Sequence, residues 1–319
     1  MQAPRNATAS KVSEMRIMLY LREPPETGCV ERAVCGVSAA MITDTKSGPR
    51  VWLVTGCSSG LGAAIVKAAL NAGDRVVATA RDISGIAAHP NCVALSLDVM
   101  RSEVISARVS EAAAVWGRLD VIVNNAGAGL LGAVEQVSDA EIADCMAVNF
   151  HGPLNVMRAA VPILRAGGGG HIVNISAAAA IANYAGFSIY GAAKAALEAA
   201  SESLRLEVAA QGILVTLVQP GPFRTDFIGR SLRKVEPVQA EYEATVGKFS
   251  ALLGRMHGRQ PGDPEKAAAV IVEMVHQGRA PQRLVLGKYA VKKVRDTAAA
   301  ELRELEEFES ESLRTEFGA

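Results

Sequence analysis

Aromatic residues are scarce, at 4% of the 319-residue chain, and no uninterrupted apolar run reaches the roughly 18 residues of a membrane-spanning helix. A helical membrane span is therefore not expected. Net charge is lacking too, since 33 basic residues offset 33 acidic ones. No long-range field draws the chain to nucleic acid or to an anionic surface. Cysteines number five, scattered at Cys29, Cys35, Cys57, Cys92 and Cys145, with no CxxC pair and no cluster with the five histidines. A disulfide framework and a metal site are not expected, and a reducing, cytoplasmic setting is. What is abundant is apolar bulk: 50% of residues are hydrophobic and 21% charged, enough for one large core or two modest ones.

The first fifty residues mix Arg, Glu, Pro and Gly, and the stretch Arg22 to Thr27 (REPPET) can hold neither helix nor strand. Residues 1–48 read as an N-terminal extension of a single domain over 49–319. Glu14 and Glu23, and the lack of a clean apolar run after a basic start, count against a secretory or transit peptide. From Val51 onward, short β-branched runs alternate with longer alanine-rich helical patterns, the signature of repeated βα units and a parallel sheet. Strands are expected at 51–55, 75–79, 93–97, 119–124, 171–176, 214–219 and 283–286, which makes a doubly wound α/β sheet of seven strands. Helices are expected to start near Gly62, Ser102, Ser138, Ile189 and Pro264. At the last, Asp263 suits an N-cap, Pro264 sits where its missing N–H is harmless, and Glu265 favours the dipole. The Glu-, Arg- and Leu-rich stretch 296–317 reads as a solvated C-terminal helical tail.

Directly after the first expected strand comes Thr55-Gly56-Cys57-Ser58-Ser59-Gly60-Leu61-Gly62, then an alanine-rich helix. Glycines at 56, 60 and 62 permit a tight turn, close backbone approach to a pyrophosphate and close helix packing, with free N–H groups and a helix dipole facing the anion. The second strand ends Ala80-Arg81, where an acidic residue would hold a ribose 2′-hydroxyl. Arginine instead makes forked hydrogen bonds to phosphate, which favours NADP(H) over NAD(H). Asp82 complicates this reading, because it could pair with Arg81 or bind a ribose itself. Asp98, at the end of the third strand, either faces an adenine or caps the helix near Ser102.

Tyr190 and Lys194 are spaced by four on an expected helix and so share a face, one turn apart. A phenol titrates near 10, and proton transfer near neutrality asks for a shift of about three units, roughly 4 kcal/mol. An ammonium one turn away, with an oxidised nicotinamide nearby, has the right sign of charge to supply much of it.

These motifs, in this order, resemble the short-chain dehydrogenase/reductase family over residues 50–290. The family's TGxxxGxG turn matches Thr55 to Gly62, its Asn-Asn-Ala-Gly segment Asn124 to Gly127, its YxxxK pair Tyr190 and Lys194, and its Pro-Gly-x-x-x-Thr segment Pro220, Gly221 and Thr225. The resemblance implies a Rossmann fold. It implies Tyr190 as general acid/base and Lys194 as the group that lowers its pKa and binds the ribose. By the same likeness Asn149 would hold a water between lysine and solvent. Thr225 would contact the nicotinamide amide, and Asn125, Ala126 and Gly127 would shape the floor beside the cofactor. Subunits of such proteins pair through the helix that carries the tyrosine, so a homodimer or homotetramer is implied.

One departure stands out. The family's carbonyl-binding serine falls at position 177, which is Ala177 here, with Ser176 beside it. Adjacent strand residues face opposite sides, so either a bulge over Ala177 to Ala180 brings Ser176 into a catalytic role or the donor is absent. Loss of one such donor slows turnover by about 10² to 10³ without abolishing it. The segment 223–262, with Phe227, Ile228, Leu232, Tyr242, Phe249, Leu252, Leu253 and Met256, reads either as a substrate lid or as amphipathic helices packed in the core. Its Phe223 to Asp226 stretch resembles members acting on ketones, secondary alcohols and related lipophilic molecules. His151, ahead of a Gly-Pro bend, and His171, opening a strand, have ordinary roles available. The expected activity is hydride transfer between NADP(H) and a ketone or secondary alcohol. The alternatives are a dinucleotide-binding sensor with damped catalysis, motivated by Ala177, and a dehydratase or epimerase that keeps its cofactor bound.

Overall fold

The computed structural model describes residues 48–317. Residues 1–47 and 318–319, and with them nearly all of the expected extension, lie outside the described residues. The sheet has seven parallel strands in the spatial order β3-β2-β1-β4-β6-β7-β9. They are β1 (Val51–Thr55), β2 (Arg75–Ala80), β3 (Cys92–Ser96), β4 (Val121–Asn124), β6 (Gly170–Ile175), β7 (Ile213–Pro220) and β9 (Arg283–Leu286). The expected doubly wound, single-domain architecture is the one observed. Each expected strand is present, with ends displaced by two residues at most.

Both faces of the sheet are covered, which is why its strands read as continuous apolar runs rather than as alternations. On one face α1 (Gly60–Asn71) and α7 (Pro264–His276) bury Ile65, Ala69, Ala268 and Ile271 against Trp52, Val54 and Val123. On the other, α2 (Ser102–Trp116), α4 (Gly152–Ala166) and α5 (Ser188–Val208) bury Ile105, Val109, Met157, Leu164 and Leu197 against Leu53, Val77 and Ile122. Each fully buried aliphatic side chain contributes about 1.5–3 kcal/mol. The strand order reverses between β1 and β4, and the connections leaving their carboxyl ends diverge there into a crevice.

Several local features differ from expectation. The helix entered at Ser138 is held by a reciprocal capping box with Glu141. It runs as α3 (Asp139–Met146), passes through a π turn (Ala147–His151) and continues directly as α4. Gly152 and Pro153 thus open a helix instead of making the expected bend; the proline lies in the first turn, and a Cβ at Gly152 would stand 2.8 Å from the Val99 carbonyl oxygen. Two three-residue strands, β5 (Gly129–Leu131) and β8 (Leu232–Lys234), pair in parallel and are too short to leave a periodic signal. Between β8 and α7 lies α6 (Lys248–Met256), and the last helix, α8 (Lys288–Leu313), starts well before residue 296. Asp263 caps α7 as expected, its carboxylate accepting from the N–H groups of Glu265 (2.9 Å) and Lys266 (3.3 Å). Among the described residues no helix is long and apolar enough to cross a membrane.

Asp74 locks three elements together. It is 2% exposed, and its carboxylate receives the Arg50 N–H (2.9 Å), the Trp52 indole N–H (2.7 Å) and the His276 Nε2 (2.7 Å). Asp74→Ala leaves the buried indole N–H without an acceptor and should lower stability by about 3 kcal/mol. Urea denaturation checks this, and an unchanged midpoint would show that the three bonds are dispensable.

Candidate active site

The connection between β1 and α1 folds tightly because Gly56 (φ +70°) and Gly60 (φ +61°) adopt left-handed backbone. Asn125, just past β4, staples it. Its side-chain amide donates to the carbonyls of Thr55 (2.8 Å) and Gly56 (3.0 Å), while the N–H groups of Asn125 and Ala126 each donate to the Thr55 hydroxyl at 3.0 Å. Gly62 is required by packing, since a Cβ there would fall 2.3 Å from the Gly56 carbonyl oxygen. Ser59 at the N-cap of α1 makes no side-chain capping bond, and the first turn holds no acid. Its N–H groups therefore open on the cleft that Ser58, Ser59, Gly60 and Leu61 line, ready for an anion. A dinucleotide pyrophosphate fits this cradle.

At the end of β2, the Arg81 guanidinium has no carboxylate partner among the described residues. Asp82 lines the same cleft; its carboxylate accepts the Ser84 N–H at 2.9 Å, and that bond holds it below the usual carboxylate range. The pairing that complicated the reading of Arg81 is not formed. Asp98 also lines the cleft and accepts the Met100 N–H at 3.0 Å. It does not cap α2, whose N-cap is Arg101 without a side-chain bond.

Across the cleft, α5 brings Tyr190 and Lys194 to its wall, 7% and 4% exposed. The Lys194 ammonium donates to the Ile175 carbonyl at the end of β6 (2.9 Å). Gly127 makes room for it, as a Cβ there would lie 3.4 Å from Lys194 Nζ and 3.0 Å from Asn149 Oδ1. Asn149 is fully buried in the π turn, a distortion common at functional sites. Its amide donates to the carbonyls of Ala128 (2.7 Å) and Cys145 (2.9 Å) and its oxygen receives the Ala128 N–H (3.3 Å). Burial pushes the Tyr190 phenol up. Burial pushes Lys194 down to about 8, opposed by Cys145 and Glu198.

The bulge that would carry Ser176 into catalysis is not formed. The residue borders the cleft but is only 2% exposed, and its hydroxyl donates to Glu198 at 2.6 Å. Glu198 also receives Gln219 Nε2 (2.8 Å) and Arg283 Nε (3.2 Å), so Ser176 belongs to a polar network behind α5. Ala177, 8% exposed, packs with Tyr190 on the cleft side and offers no donor. His171 is likewise structural: its Nε2 pairs with Thr216 Oγ1 (2.9 Å), and burial pushes it down to about 3.

The outer wall is aromatic. Tyr184 stacks on Phe249 (4.9 Å between centroids), and Phe187 meets Phe249 (5.1 Å) and Tyr190 (5.3 Å) edge-on. Phe227 stands 5.8 Å from Tyr190. In the segment after β7, Val246 and Leu253 are buried, while Phe227, Leu252 and Met256 line the cleft, whose volume is about 990 Å³. Thr225 lies against the phosphate turn, 3.3 Å from where a Gly60 Cβ would be. Pro220 and Gly221, at the end of β7, complete the floor. Sequence reasoning missed Tyr184, Phe187, Glu198 and Gln219. Only Phe187 left a signal, three residues before Tyr190 and hence on its face.

Known proteins resemble this chain over most of its described length. The family model described as short chain dehydrogenase matches residues 50–236. Oxidoreductase BOA17 of Botryotinia fuckeliana (strain B05.10) is 36% identical over 248 residues, covering 76% of this chain and 90% of that protein. A 3-ketodihydrosphingosine reductase of Bacteroides thetaiotaomicron is 33% identical, covering 75% of this chain and 88% of its own length. The crystal structure of a short-chain dehydrogenase from Streptomyces avermitilis superimposes with a TM-score of 0.79 at 41% identity, covering 85% of this chain and all of the other.

The lysine carries a pH signature. Because its folded-state pKa lies near 8, below the ordinary 10.5, the unfolded chain binds its proton more tightly. The resulting penalty is absent above about 10.5, develops as pH falls towards 8 and is constant below, reaching roughly 3 kcal/mol. Parent protein should therefore gain stability between pH 8 and 10.5 relative to Lys194→Met. Parallel stability–pH curves for the two would remove the case for a buried ammonium.

Proposed function

This chain belongs to the short-chain dehydrogenase/reductase family, NAD(P)-dependent enzymes acting on CH–OH groups, and we propose that it transfers a hydride between NADP(H) and a lipophilic ketone or secondary alcohol. The observation that carries this reading is the convergence of Tyr190, Lys194 and Asn149 on the cleft that the glycine turn opens. The uncapped α1 N-terminus would receive the pyrophosphate, Arg81 the 2′-phosphate, Asp98 the adenine side and Thr225 the amide end. The nicotinamide, when bound, supplies or accepts the hydride.

In reduction, Tyr190 donates its phenolic proton to the substrate oxygen; in oxidation it takes that proton back. Burial alone opposes ionisation of the phenol, so cationic neighbours must offset it. Lys194, one helical turn along α5 and held against the Ile175 carbonyl, would be one such neighbour, charged below about pH 8. Phe187 and Phe227 beside Tyr190, with Phe249 against Phe187, would shield the reacting atoms from water and so strengthen charge interactions there. The aromatic and aliphatic outer wall supports a lipophilic substrate, as does the kinship with a 3-ketodihydrosphingosine reductase.

Ala177 favours a second reading, a dinucleotide sensor with damped turnover. The two separate in one assay: the enzyme consumes NADPH against a panel of aliphatic and aromatic ketones, whereas the sensor only binds it. Ala177→Ser should raise turnover by as much as about 10², and an unchanged rate would show that the site is complete without a serine. Arg81→Ala should weaken NADPH binding about tenfold and leave NADH binding unaffected; equal losses would count against NADP(H) preference. Pairing of α5 between copies, at the face where Leu206 is 64% exposed, would make the protein a homodimer or homotetramer. Sedimentation showing only monomer at micromolar concentration would refute that. The buried free thiols of Cys57 and Cys145 suit a cytoplasmic setting.

A further inference from the structure

Arg230 reaches from the segment after β7 across to the phosphate-binding turn. Its Nη2 donates to the Ser59 hydroxyl and lies 3.5 Å from the Ser58 hydroxyl. Both partners are neutral. The nearest carboxylate, Asp226, is 4.0 Å from Nε and more than half exposed, so solvent screens that pair. The guanidinium charge therefore stands largely uncompensated at the uncapped, acid-free N-terminus of α1. Two positive ends converging on one point oppose each other unless an anion lies between them.

The backbone around Arg230 is held on both sides. Five residues earlier, Thr225 packs against Gly60 of the turn. Just beyond, Leu232–Lys234 pairs with Gly129–Leu131, and the Val235 N–H donates to the Leu131 carbonyl at 2.8 Å. Arg230 lies in a π turn, Phe227–Ser231, that also carries Phe227 of the aromatic wall. One short strap thus holds a cation over the phosphate turn and a ring beside the catalytic tyrosine.

We propose that Arg230 is a pyrophosphate ligand of the dinucleotide, exchanging its two serine hydroxyls for phosphate oxygens. This rests on the dinucleotide reading above. The pyrophosphate is assigned in preference to the 2′-phosphate because the contact is to the N-cap of α1, while Arg81 serves the end of β2.

The test is equilibrium binding, which does not depend on turnover. Dissociation constants for NADPH and NADH are measured by titration with parent, Arg230→Gln and Arg230→Lys, after equal thermal midpoints show that the exposed substitutions leave the fold intact. Arg230→Gln should weaken both cofactors alike, by about tenfold, with Arg230→Lys in between. Unchanged constants, or a loss confined to NADPH, overturn the proposal while leaving the dinucleotide reading standing. A parent that binds neither cofactor overturns both.

Discussion

The bond from the Lys194 ammonium to the Ile175 carbonyl fixes the site, because it sets where α5 stands against the end of β6. The other side chains of the candidate site are placed about that point. Tyr190 lies one turn up the same helix, Asn149 approaches through the gap that Gly127 leaves, and the phosphate turn faces them across the crevice. A buried cation is costly, and burial draws Lys194 down to about 8. The fold tolerates it because the ammonium has an acceptor and Glu198 lies one turn beyond on α5. The Ser176, Gln219 and Arg283 side chains in turn hold that carboxylate.

That network explains the fate of the serine. Just past the end of β6, the Ser176 N–H donates to the Val218 carbonyl (2.8 Å), and its hydroxyl is taken up by Glu198. Its hydroxyl already serves a buried carboxylate, and removing it would leave Glu198 short of a donor. The cleft side at 177 is apolar and packs on the tyrosine. The site therefore concentrates its polar chemistry in one phenol, one ammonium and one amide, and surrounds them with rings. Such a pocket discriminates by shape and apolar area more than by hydrogen bonding.

Much of this was legible in the sequence because the signals are local. β-branched runs buried on both faces, glycines at 56, 60 and 62, and a tyrosine and lysine spaced by one turn all act through backbone geometry or helical periodicity. Arg81 and Asp98 were legible for the same reason, as residues at strand ends. What escaped depends on contacts between distant segments. Two three-residue strands have no period to detect, and the π turn at Ala147–His151 is an insertion into an otherwise continuous helix. The stack of Tyr184 on Phe249 joins residues far apart in the chain. Arg230 reads as one more surface charge until the fold brings it to Ser59.

The proposed proton transfer depends on the hydroxyl of Tyr190, and the most direct measurement is single-turnover hydride transfer by Tyr190→Phe with saturating NADPH. The expected result is a loss of at least about 10² in rate with the NADPH dissociation constant unchanged, since the phenol moves a proton and does not hold the phosphates. A rate equal to the parent's would contradict the mechanism.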